Sequence, residues 1–121
     1  MRASTRIIGV RLVQAIAGLL ATYILAAIAI THYQGRVQEE IRLGASEQSV
    51  VSSFWFTPGV EVATSPDPGA GRAFTTADSR CKAPCVRRLW WIHPLLPDIE
   101  AWTVDLDGDG KVIKTYHWSS P

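Results

Sequence analysis

Acidic side chains are missing from the first 38 residues of this 121-residue chain, and between Leu12 and Thr31 there is no charge of either sign. The run LVQAIAGLLATYILAAIAIT has only Gln14, Thr22 and Thr31 as clearly polar members. At ~1.5 Å rise per residue, such a stretch reaches about 30 Å, the thickness of a bilayer's hydrocarbon core. It predicts a transmembrane helix over residues 12–31. A cleaved secretory signal carries an apolar stretch of only about 7 to 15 residues. Ala27-Ile28-Ala29 would serve as its cleavage site, but the length favours an uncleaved anchor. No cysteine closes the run, so a lipidated N-terminus is not expected there.

The segment after the run lacks any excess of positive charge. Residues 1–31 hold three arginines, Arg2, Arg6 and Arg11, whereas residues 32–121 hold nine basic and eleven acidic side chains. The positive-inside bias then predicts a cytoplasmic N-terminus at residues 1–11, an inner-membrane span, and a periplasmic domain over residues 32–121. Without a basic stripe that domain is a poor nucleic-acid binder, so nucleic acid is not an expected partner.

Cysteine is equally scarce. Cys81 and Cys85 are the only two, and in an oxidising compartment they read as a disulfide around Lys82, Ala83 and Pro84. A zinc tetrad with His93 and His117 would need a tighter spacing than CxxxC with such distant histidines. A thiol oxidoreductase would present CxxC in a βαβ setting, and neither is present. There is no GxSxG elbow and no ordered triad. Glu100 and the later aspartates could act as a carboxylate pair only if folding joined them in a cleft. The expectation is therefore a non-enzyme without a cofactor.

Downstream of the membrane run, Tyr33, Val37 and Ile41 recur every four residues, so the helix is expected to continue with one apolar stripe. Gly44 is its stop, and Ser46 caps a second short helix that buries Val50, Val51 and Phe54. Pro58-Gly59 then turns the chain, and Val60, Val62 and Thr64 alternate as a strand. The segment SPDPGAG, residues 65–71, reads as an exposed loop, and RAFTTA as a weak strand. VRRLWWIH, IEAWTVDL and KVIKTYHW are stronger strands, the first two separated by the Pro94 and Pro97 connection. The predicted fold class is α+β: an N-terminal transmembrane helix, then two helices packed on a three- or four-stranded antiparallel sheet.

The last two strands are joined by DLDGDGKV. Asp105, Asp107, Asp109 and Gly110 match the first half of a calcium loop, but the twelfth position, where a bidentate Glu belongs, is Tyr116. Asp-Gly pairs also suit a hairpin turn, and strands flank them on both sides. The turn is the leading reading, and a calcium-dependent binding module is the alternative.

All five tryptophans follow the membrane run. Large side chains suit a small core, but Trp90 and Trp91 are adjacent on a strand and must point to opposite faces. One of them is expected on the sheet face away from the helices, and with Arg87 and Arg88 this pair forms the candidate partner-binding surface. Within the membrane run, Gly18, Thr22 and Ala26 form a small-xxx-small strip suited to helix packing and self-association.

Taken together, LGASEQSVVSSF, TPG and WTVDLDGDGKVIKTYHW with the final SSP resemble the small outer-membrane assembly lipoprotein family of the SmpA/BamE type. Gly44, Ala45 and Ser46 match that family's helix opening, and Asp107 to Val112 its hairpin. The resemblance covers roughly residues 42–121 and implies two short helices followed by a three-stranded antiparallel sheet. This chain departs from the family in its apolar helix where a lipidated cysteine would stand, in a longer link to the sheet, and in its cysteine loop. The reading that combines these features is a membrane-anchored, non-catalytic accessory module of a cell-envelope complex, with an envelope protein as partner.

Overall fold

The computed structural model describes residues 2–62, 81–97 and 99–119. The loop expected at 65–71 and the weak strand expected at RAFTTA lie outside them. The element order is α1 (Arg2–Glu40), α2 (Glu47–Ser53), β1 (Gly59–Val62), β2 (Arg87–Ile92), β3 (Glu100–Leu106) and β4 (Val112–Ser119). The architecture is α+β, with a four-stranded antiparallel sheet in the order β1-β2-β3-β4.

α1 is a single helix of 39 residues, about 58 Å long at the standard rise. No proline interrupts it, and the expected continuation beyond Thr31 is part of the same unbroken element. One helix of this chain is therefore long and apolar enough to cross a membrane. Its outward side chains from Ile7 to Ile28, including Leu12, Leu19 and Leu25, are exposed. The helix gives way to a turn at Gly44, whose φ of 87° is positive. Ser46 then caps α2 by accepting a hydrogen bond from the Ser49 amide.

The core lies between the helices and one sheet face. Val50 of α2 and Phe54, the residue that follows α2, meet Leu89 and Trp91 of β2, Trp102, Val104 and Leu106 of β3, and Val112 of β4. Val37 and Ile41 from the predicted apolar stripe pack against this cluster, as do Ala45 and Val51. Phe54 stacks on Trp91 with ring centroids 3.9 Å apart.

β1 begins one residue earlier than the sequence alternation indicates, at Gly59, and pairs there with Trp90. The β3–β4 hairpin contains a bulge: Asp105 pairs with Lys114, but Leu106 pairs with Val112, leaving Ile113 as the extra residue. The bulge changes the parity of β4, and Val112 rather than Ile113 becomes the core residue beside Leu106.

The two short motifs that carried the family resemblance are hydrogen-bonded to each other. The Gly44 amide donates to the Val112 carbonyl at 2.7 Å, the Val112 amide to the Ala45 carbonyl at 2.9 Å, and the Glu47 amide to the Gly110 carbonyl at 3.0 Å. The link between α1 and α2 thus runs as a short extra edge along the start of β4. Cys81 and Cys85 form a disulfide, Cα atoms 5.3 Å apart, immediately before β2. Both half-cystines are buried.

Candidate functional site

β2 alternates as its sequence requires. Leu89 and Trp91 enter the core, so Arg88, Trp90 and Ile92 lie on the sheet face away from the helices. The strand register continues this outer face. Trp90 pairs with Thr103, which pairs with Tyr116; Ile92 pairs with Ala101, which pairs with Trp118. Small residues of β3 are therefore flanked by large side chains of β2 and β4. Tyr116 is 55% exposed, and Trp90 is half-buried. The Trp90 ring lies over Gly59 so closely that a Cβ there would meet ring carbons at 2.2 to 2.5 Å. Only glycine leaves room for this ring.

The four residues expected to form one contact surface separate in the structure. Trp90 is on the outer face. Trp91 is 1% exposed, and its Nε1 donates a 2.8 Å hydrogen bond to the Phe56 carbonyl, so it is a core side chain with no surface to offer. Arg87 points to the helix side, where it pairs with Glu47 of α2. Arg88 makes a two-pronged bond to Asp105 across the strands, at 2.6 and 3.0 Å, and both side chains are largely buried. The physical reason is strand parity: consecutive residues cannot share a face, and Asp105 stands opposite Arg88 in the register.

The acidic turn divides its carboxylates among separate tasks. Asp105 belongs to Arg88. Asp107 Oδ1 accepts hydrogen bonds from the amides of Asp109 and Lys111, both at 2.9 Å, while Gly110 supplies a φ of 71°. This is an Asx-type turn that closes a hairpin. Among the described residues no three His, Cys, Asp or Glu side chains come together in a way that could hold a metal ion.

A polar seam between α1 and the sheet was not visible as a pattern in the sequence. Thr31 donates to Glu100 Oε2 at 2.6 Å, and the other oxygen, Oε1, lies 2.7 Å from His117 Nε2. His117 stacks on Trp102, centroids 5.5 Å apart. His93 is fully buried; its Nδ1 accepts from the amides of Leu95 and Leu96 at 3.1 Å, which assigns the proton to Nε2, and Nε2 donates to the Ala27 carbonyl at 3.1 Å. Tyr23 donates to the Leu95 carbonyl. Residues 23, 27 and 31 are spaced one helical turn apart, so this is one stripe of α1. Gln34 continues it, 1% exposed and with neither amide atom hydrogen-bonded.

Glu100 and His117 converge in the manner an acid-base reading requires, but the carboxylate is buried and both its oxygens are engaged. A groove of about 670 Å³ lies elsewhere, between α1 and α2, and is lined by Tyr33, Arg36, Glu40, Arg42 and Ser49 among others. The only sequence clue to the seam was the position of His93 and Glu100 at either end of the Pro94–Pro97 connection. In the membrane run, Thr22 bonds back to the Gly18 carbonyl at 2.9 Å, so its hydroxyl is satisfied within α1. Comparison with known protein families, curated proteins and solved structures finds no match to this chain.

Proposed function

We propose that the chain is a single-pass, membrane-anchored and non-catalytic interaction module, with a cytoplasmic N-terminus and its sheet domain in the periplasm, serving as an accessory to a cell-envelope complex. The observation that carries this reading is the outer sheet face. Trp90 and Tyr116 flank Thr103 on the side that the helices leave uncovered, and aromatic side chains in such positions are the usual anchors of protein contacts. The partner is an envelope protein that presents an apolar strip to this face. Arg88 contributes by fixing the sheet through Asp105, not by offering its charge. The strip of Gly18, Thr22 and Ala26 gives a second helix a place to approach within the membrane.

The test is site-specific photocross-linking in intact cells, with the photoreactive side chain at Trp90 or Tyr116 and, as a comparison, at the exposed Gln48 on α2. The expected result is a discrete adduct from the two sheet positions and none from Gln48, with the Tyr116 adduct lost on Trp90→Ala. Identical neighbours from all three positions would remove the outer face as the contact.

A further inference from the structure

The connection between β2 and β3, residues 93–99, meets α1 inside the stretch that the sequence assigns to the membrane. Its contacts are to Tyr23 and Ala27. If the span ends at Thr31, these residues lie about 12 and 6 Å below its boundary at the standard helical rise. At the same depth, on the other sides of the helix, Ile24, Leu25 and Ile28 are exposed. The connection therefore shares a level with side chains that need an apolar surrounding.

Its composition matches that level. Pro94, Leu95, Leu96, Pro97 and Ile99 are apolar, with Asp98 as the one charge in the sequence. Ile99 is 49% exposed, and Pro97 is exposed beside it. Irregular backbone at membrane depth is tolerated only when its polar groups are satisfied within the protein. Here the described amides of the connection, and the Leu95 and Leu96 carbonyls, have partners within the protein. Pro94 and Pro97 have no amide hydrogen to satisfy. The Leu95 and Leu96 amides donate to His93 Nδ1, the Ile99 amide donates to the Leu96 carbonyl at 3.1 Å, and the Leu95 carbonyl accepts from Tyr23. A buried histidine thus gathers the donors of a loop whose described exposed residues, Pro94, Pro97 and Ile99, are apolar.

We propose that Pro94 to Pro97 and Ile99 insert into the leaflet on the domain side, giving the domain a second contact with lipid beside α1. The inference rests on the reading of α1 as a membrane span. Two contacts hold the sheet at a fixed height and tilt on the bilayer, and His93 is a positioning residue for the loop.

The test uses the full chain in phosphatidylcholine–phosphatidylglycerol vesicles. The native cysteines are joined to each other, so an introduced thiol can be labelled alone under non-reducing conditions. Single variants Ile99→Cys, Pro97→Cys, Leu20→Cys and Lys114→Cys each receive an environment-sensitive nitrobenzoxadiazole probe. Lipids with a nitroxide near the headgroup serve as quencher. The expected result is blue-shifted emission at positions 99 and 97, with several-fold more quenching than at 114. Position 20 is expected to respond most to a nitroxide placed deep in the acyl chain. Labels at 97 and 99 that behave like 114, while 20 is quenched, overturn the loop insertion and leave the span intact. No quenching at 20 overturns the span, and the insertion with it.

Discussion

The Thr31 hydroxyl and Glu100 Oε2 are joined by a 2.6 Å hydrogen bond that ties the long helix to the third strand. The acceptor is a carboxylate in a buried position, the setting in which a single hydrogen bond counts most. Thr31→Val keeps the shape and removes the donor, and is expected to destabilise the domain by about 2 kcal/mol. Glu100→Ala also deprives His117 of its partner and is expected to cost more. Thermal unfolding of the full chain in micelles measures both. A Thr31→Val protein as stable as the parent would show that this bond does not hold the helix to the sheet.

Gln34 presents the opposite case on the same stripe. Its amide is fully buried and neither polar atom has a hydrogen-bond partner, so its burial carries a desolvation penalty with no compensation. Gln34→Leu is close in volume and removes both unsatisfied atoms. The expected outcome is a gain of about 1 to 3 kcal/mol in the same unfolding measurement. A loss of stability would mean that the amide is bonded in the folded protein.

The parity of β2 sets the third prediction. Trp91→Ala empties a core site that is stacked on Phe54 and bonded to the Phe56 carbonyl, and is expected to cost about 3 to 5 kcal/mol. Trp90→Ala, on the half-buried outer face, is expected to cost clearly less. Gly59→Ala drives a methyl group into the Trp90 ring and is expected to cost about 1 to 3 kcal/mol. In the Trp90→Ala background that cost is expected to vanish. A double-mutant cycle by urea unfolding of the parent, the two single variants and the double variant reads the coupling, and additivity would show that the ring does not rest on Gly59.

Much of the fold was legible because its signals are local. Alternation in RRLWWI, EAWTVDL and VIKTYHWS marks three strands, Asp107 to Gly110 marks their turn, and Ser46 marks a helix start. Parity also required Trp90 and Trp91 to part, although it could not say which one enters the core. That choice depends on the β2–β3 register, which places Trp91 beside Trp102. The seam was harder to read. Thr31 and Glu100 are 69 positions apart, and Tyr23 and Leu95 are 72 apart, so no periodicity links them. The boundary drawn at residues 31 and 32 followed hydropathy alone, whereas the docking of the domain begins a full two turns earlier. The bulge at Ile113 was equally hidden, because it is a property of paired strands and not of either sequence by itself.

The aspartates of the final hairpin give the last prediction, since their placement separates a structural role from an ionic one. Asp105→Ala removes the two-pronged partner of the largely buried Arg88 guanidinium, and breaking one side of such a pair costs about 3 to 5 kcal/mol. Asp107→Ala removes the acceptor for two exposed turn amides and is expected to cost about 1 kcal/mol. Asp109 has no comparable bond among the described side-chain contacts, and Asp109→Ala is expected to change little. A calcium loop would give a different order, with stability rising in millimolar calcium and each substitution reducing that rise. The melting temperature of the parent is expected to be the same with calcium or with chelator. Differential scanning fluorimetry of the four proteins under both conditions decides the matter. A calcium-dependent increase lost in Asp107→Ala would restore the ionic reading, despite the commitment of Asp105 to Arg88.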